Sequence, residues 1–319
     1  MSLKSIIMNA LLVAALCLAV FLLYRIFQQY SLDEIVQSVR SIPLSTFLTA
    51  LVFAAASYLC LSCFDLLAIR SLGKSLPYRK IVLASFISLS LGHNIGFAGL
   101  SSGAFRYRYY SRWGLTTEDV AKIILFCGVT VGLGLVTLGG LALIINPSDA
   151  ARLMRADAGS VRIFGVLALI VPVVYAGLAF FVRGKLRLWR WSFQLPRFSI
   201  AVAQVGVGTV NFMLVAACLH QMLSTFGDVA FFRSVTAYVL ANSAILATHV
   251  PGGLGVLEAT VSHVVPQEAS IGALIAFRCA YFFIPLALGT TLLLSIELIF
   301  RRSSGASEEA DESAEAQSV

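Results

Sequence analysis

Eight apolar segments, most of them close to bilayer-crossing length, leave this chain few folds to choose from. They run at about 6–27, 44–70, 81–104, 121–145, 161–182, 198–223, 234–265 and 271–299. A helix needs roughly 20 apolar residues to cross the hydrocarbon core. Inside that core every backbone N–H and C=O must be satisfied internally, which admits helices and closed barrels alone. Segments of this length specify helices. Hydrophobic residues make up 59% of the 319 and charged residues 12%, about half the charge of a soluble domain. The reading is an all-α polytopic membrane protein.

Two segments break the pattern. Segment 81–104 carries Gly92, His93, Asn94, Gly96, Gly99, Ser101, Ser102 and Gly103, so its second half is a poor continuous helix. Segment 234–265 is too long for one span, and the run Thr248-His-Val-Pro-Gly-Gly-Leu-Gly-Val-Leu-Glu-Ala259 interrupts it. Pro251 lacks an N–H and clashes with the preceding turn, while Gly252, Gly253 and Gly255 loosen the backbone. Broken backbone at membrane depth survives only inside protein or beside a wet cavity. Gly99, Gly103, Pro251, Gly252, Gly253 and Gly255 are therefore expected to form the hinges of two broken hairpins. A plainer alternative is a loop joining two short helices, with Glu258 at an ordinary helix N-terminus.

Charge decides the topology. The linkers 70–80 and 183–197 are basic and carry no acid, 105–122 is rich in Arg, and Arg301 and Arg302 follow the last segment. If both odd segments crossed fully, the first two linkers would face opposite sides, against the positive-inside rule. If each dips in and returns, every basic linker becomes cytoplasmic, with both termini inside. Six spans and two re-entrant hairpins result. Each half, 1–150 and 155–302, then makes three crossings, so the second half is inverted relative to the first. Inverted repeats with broken segments at matching places point to a transport site near the midplane. A short match supports the pairing: Gly103-Ala-Phe-Arg106 against Gly255-Val-Leu-Glu258. The tail 303–319 has five acids and no base, a composition expected to be disordered.

Ionisable residues inside membrane segments are functional candidates by default. The expected substrate-binding set is Asp65, His93, Asn94, Ser101, Ser102, Arg106, His249, Glu258 and Arg278. In one arrangement Arg106 and Glu258 face each other near the centre, leaving Arg278 free for a phosphate, whose oxygens a guanidinium matches bidentately. In the other these are structural salt bridges, Arg278 with Glu258 and Asp65 with Arg70 or Lys74. The run Arg106-Tyr-Arg-Tyr-Tyr-Ser-Arg-Trp113 reads as an interfacial anchor, or as a collector of anionic headgroups. Gly128-x-x-x-Gly132 has close-packing spacing for helices.

Other functions find no support. There is no P-loop, no G-x-S-x-G elbow and no H-E-x-x-H. The six cysteines all lie in apolar segments, where packing explains them. Four scattered histidines make no metal site. The net charge of +7 suits anionic lipid, with no nucleic-acid signature. The run after Lys4 is too long for a cleaved signal. No cofactor is implied.

The two broken segments, L-G-H-N-I-G-F-A-G-L-S-S-G-A-F-R-Y-R (91–108) and H-V-P-G-G-L-G-V-L-E (249–258), resemble the transmembrane region of the lysylphosphatidylglycerol synthetase family. That family takes in stand-alone bacterial inner-membrane proteins and the flippase half of the multiple peptide resistance factor. The resemblance covers about residues 6–300 and implies a lipid-translocating membrane domain gated by the broken segments. It does not carry lysyl transfer to this chain, which ends in an acidic tail where the bifunctional members continue into an aminoacyl-transferase domain.

The expectation is a non-enzymatic translocase for a membrane phospholipid or lipid-linked molecule in the inner membrane. Two rivals stay open: an accessory subunit presenting lipid to a lipid-modifying or glycosyl-transfer enzyme, and a lipid transferase in its own right.

Overall fold

The computed structural model describes residues 33, 36–37, 40, 42–95, 98–182, 185–188, 191–248, 250–266 and 271–298. The expected first span 6–27, His249, Arg301, Arg302 and the acidic tail lie outside the described residues. Ten helices follow in order among them: α1 Leu44–Ser71, α2 Tyr78–Ile95, α3 Ala98–Arg112, α4 Thr117–Ile145, α5 Pro147–Met154, α6 Ala158–Phe181, α7 Phe198–Leu223, α8 Phe231–Thr248, α9 Val256–Val264 and α10 Gly272–Leu298. A 3₁₀ turn, Pro251–Gly253, joins α8 to α9. The linker before α7 departs from the all-helical expectation. It forms a two-stranded antiparallel ribbon, β1 Lys185–Leu188 with β2 Trp191–Gln194.

Five of these helices, α1, α4, α6, α7 and α10, are long and apolar enough to cross a membrane. They coincide with five of the six spans expected from sequence. Segments 81–104 and 234–265 fold as two helical hairpins, α2–α3 and α8–α9. This is a helical polytopic membrane protein.

The spans meet where side chains vanish. A Cβ on Gly134 of α4 would overlap the carbonyl of Gly208 on α7, and one on Gly208 would sit 2.6 Å from the Thr130 oxygen. A Cβ on Gly140 of α4 would approach Gly165 of α6 to 2.9 Å. Apolar side chains gain little by leaving lipid for protein, so backbone approach through small residues sets these crossings. Gly128 and Gly132, the pair whose spacing predicts such packing, face open space: among the described residues no atom lies within 4 Å of where their Cβ would be. Polar residues tie the same crossings. Gln204 donates to Thr130 Oγ1 at 2.9 Å and accepts from the Tyr175 hydroxyl at 2.5 Å.

Each hairpin opens at one end of the bundle. Lys80, at the start of α2, lies 5.4 Å from the ring of Trp113 just after α3. Arg112 reaches Glu297 at the end of α10, and Lys74 reaches Asp119 at the start of α4. These basic stretches share one end. The second hairpin opens at the other: Arg233, near the start of α8, donates to the Val264 carbonyl at the end of α9 and pairs with Asp149 of α5.

Candidate functional site

The tips of the two hairpins meet inside the bundle. The turn Pro251–Gly253 packs against α2, and a Cβ on Gly252 would lie 3.6 Å from the backbone oxygen of Asn94. Gly252, Gly253 and Gly255 all have positive φ, at 60°, 60° and 79°, conformations that side chains bearing a Cβ resist. The P-G-G-x-G spelling thus encodes the backbone of the second tip directly.

A break in a buried helix leaves carbonyls without partners. Arg278 of α10 supplies them. Its Nη1 donates to the Gly252 oxygen at 2.8 Å and its Nη2 to the Gly253 oxygen at 3.0 Å. The same guanidinium grips Glu258 with Nε on Oε1 and Nη2 on Oε2, a planar fork meeting a carboxylate. Glu258 in turn accepts from the Gly255 N–H at 2.9 Å, at the start of α9. Its position at a helix N-terminus matches the plainer sequence alternative, with the arginine added.

The first hairpin has its own pair. Asp65 of α1 is fully buried and accepts from Arg106 Nε at 3.1 and 3.2 Å, from the Tyr110 hydroxyl at 2.8 Å and from Cys127 Sγ at 3.0 Å. Arg106 also donates to Ser102 Oγ at 2.8 Å. The arrangement in which Arg106 faces Glu258 is therefore overturned. Each charge finds its counter-ion on a span beside its own hairpin, because a buried ion costs too much to wait for a partner across the centre. Arg278 is accordingly not a free phosphate ligand. The alternative pairing of Arg278 with Glu258 holds, whereas that of Asp65 with Arg70 or Lys74 does not.

The remaining candidates divide. His93 and Asn94 sit at the first tip. His93 stacks on Tyr281 at 6.3 Å and lies 6.1 Å from Tyr58, and Asn94 donates to the Ser90 oxygen at 2.9 Å. Ser101 donates to the Gly92 oxygen at 3.3 Å, which knits the hairpin together. Gly99 and Gly103 fall inside continuous α3 rather than in the break, and Gly103 makes room for Ile124 of α4. The basic-aromatic run 106–113 is mostly helix. Arg108 and Arg112 both bind Glu297, and Tyr109 and Tyr110 are fully buried.

Sequence reasoning missed a polar layer under the first tip. Ser57 donates to Asn211 at 2.7 Å and meets the Tyr281 hydroxyl at 3.1 Å. Tyr281 lies in a π turn, Cys279–Phe283, and Pro285 has no N–H for the Tyr281 oxygen four residues back. The Tyr58 hydroxyl reaches that oxygen at 3.4 Å. Asn211 in the middle of an apolar span was the available signal. No group of three or more His, Cys, Asp or Glu able to hold a metal occurs among the described residues.

Fold and site together define a polytopic membrane protein in which two broken hairpins, opening at opposite ends, converge on buried charge. The chain belongs to the family described as the lysylphosphatidylglycerol synthase TM region, whose model matches residues 10–289. It is 29% identical to the uncharacterised protein slr0712 of Synechocystis over 86% of each chain. It is also 29% identical to the inner membrane protein YbhN of Escherichia coli, over 83% of this chain and 84% of the relative. A phosphatidylglycerol lysyltransferase of Staphylococcus haemolyticus matches at 22% over 74% of this chain, and the match spans 28% of that longer protein.

Proposed function

We propose that this chain moves a phospholipid or lipid-linked molecule between the leaflets of a bacterial inner membrane. The observation that carries the reading is the meeting of two oppositely opening hairpins at Asn94 and Gly252. Such a junction, with polar groups at its centre and lipid outside, gives a headgroup a place to rest half-way. His93, Asn94 and the exposed edge of Glu258 would face the headgroup, with acyl chains left in the bilayer. Arg278 and Arg106 act one step back, holding the tips in shape. The hairpin geometry also supports an inverted repeat of 1–150 and 155–302, with the basic linkers and both termini cytoplasmic.

A second reading has its own support. The similarity to part of a phosphatidylglycerol lysyltransferase fits a membrane subunit that presents lipid to a separate enzyme. Leaflet exchange of fluorescent phospholipids in proteoliposomes separates the two. Exchange by the purified protein that falls in Asn94→Leu, which leaves both ion pairs intact, is the expected result. Folded protein without exchange for any headgroup class, co-purifying with a stoichiometric enzyme, would favour the presenting subunit.

A further inference from the structure

Four buried side-chain polar atoms of the first hairpin have no hydrogen-bond partner among the described residues: Ser85 Oγ, Ser88 Oγ, His93 Nδ1 and Tyr109 OH. Each such group at membrane depth carries a desolvation cost unless something pairs with it. In folded proteins, buried polar groups left without a protein partner are commonly paired by ordered water.

Their placement is ordered. Gly92 packs on Ser102, where a Cβ would come within 2.8 Å of the serine Cβ. That contact turns the stripe Ser85, Ser88, Gly92 of α2 toward α3, since positions four and seven apart share a helix face. The facing stripe on α3 is Ser102, Arg106, Tyr109 and then Trp113. With Lys80 opposite Trp113 at the mouth, the antiparallel register sets Ser85 level with Tyr109 and Ser88 level with Arg106. The seam thus runs from the basic end, past Tyr109, Ser85 and Ser88, to the Asp65–Arg106 pair. His93 lies beyond, about 12 Å along α2 from Ser85 at 1.5 Å per residue. The groups that face it are Tyr58 on α1, Tyr281 on α10 and, from α3, the Arg106 guanidinium with its Asp65 counter-ion.

We propose that the seam between α2 and α3 is a hydrated proton path from the basic end of the molecule to His93 at the hairpin tip. Hydroxyls and water each accept one proton and release another, and His93 Nδ1 accepts the last, leaving an imidazolium beside the headgroup site. Release to the opposite side, when the tips part, returns the ring to neutral and completes one proton carried per cycle. The Asp65–Arg106 ion pair joins α1 to α3 beside the seam and holds the path in shape. This would supply the proposed translocase with its driving force, and in that use it rests on that reading.

The test reads proton movement alone. Full-length protein is reconstituted in liposomes of bacterial polar lipids with an entrapped pH dye, and a valinomycin potassium potential drives protons inward. Wild type is expected to acidify the lumen faster than protein-free liposomes. Ser88→Leu, which fills the seam, and Tyr109→Phe, which removes a hydroxyl without adding volume, are expected to lose that protein-dependent component. Tyr109→Phe serves where Ser88→Leu fails to fold. Wild-type flux equal to protein-free liposomes overturns the path, as does unchanged flux in folded Tyr109→Phe. Proton flux without lipid exchange would retain the path and reject the translocase. Exchange without flux would do the reverse.

Discussion

At the scale of single residues, two arginines decide the interior. Arg278 is 1% exposed and Arg106 3%, and each spends its donors on a carboxylate and on neighbouring oxygens. Removing one member of such a pair strands the other, at a cost of about 3–5 kcal/mol, whereas replacing both with apolar residues is far milder. Arg278→Leu should therefore lower the thermal midpoint in detergent more than the double variant Arg278→Leu/Glu258→Leu. The single change also leaves the Gly252 and Gly253 oxygens unmet, so the double should recover only part of the loss. Asp65→Ala should likewise deplete folded protein, measured by monodisperse yield, and Arg106→Leu in the same chain should restore some of it. If the double variants prove no more stable than the singles, the pairs are not the source of the cost. The candidates Asp65, Arg106, Glu258 and Arg278 were all visible as charges in apolar segments. The pairing of Arg278 with Glu258 stood among the alternatives, but that of Asp65 with Arg106 did not, because partners 41 residues apart on separate helices are fixed by helix register.

At the scale of elements, glycine position sets how closely helices approach. Gly208→Leu should force α4 and α7 apart at the Thr130–Gly134 crossing and abolish monodisperse elution. Gly132→Leu, with no neighbour within 4 Å among the described residues, should elute as wild type. Equal behaviour of the two would mean the crossing is not set by backbone contact. The spacing G-x-x-x-G marks Gly128 and Gly132 as contact positions, yet the helix turns Gly134 and Gly140 inward instead. Spacing identifies a face of a helix. It does not say which face has a neighbour. The break at Pro251–Gly253, by contrast, was legible from composition, since a proline and three glycines forbid a continuous helix wherever they fall.

At the scale of the whole molecule, the basic stretches 70–80 and 105–122 share one end, where the first hairpin both enters and leaves. If that end is cytoplasmic, Ser148→Cys at the start of α5 should react with an impermeant thiol reagent on intact spheroplasts. Ser75→Cys, before α2, should react only after permeabilisation. The reverse pattern would invert the topology. The sequence by itself determined that the chain lives in a bilayer, that its apolar segments of crossing length are spans, five of the six expected being helices of that length among the described residues, and that two others are broken. Those facts follow from segment length, charge and backbone chemistry, which are local and survive without knowledge of neighbours. Only the tertiary structure decided that Arg106 joins Asp65, that Arg278 caps the broken turn, and that Asn94 meets Gly252. These depend on which helix faces touch, and in a membrane that choice rests on backbone fit and buried polar pairing between distant segments.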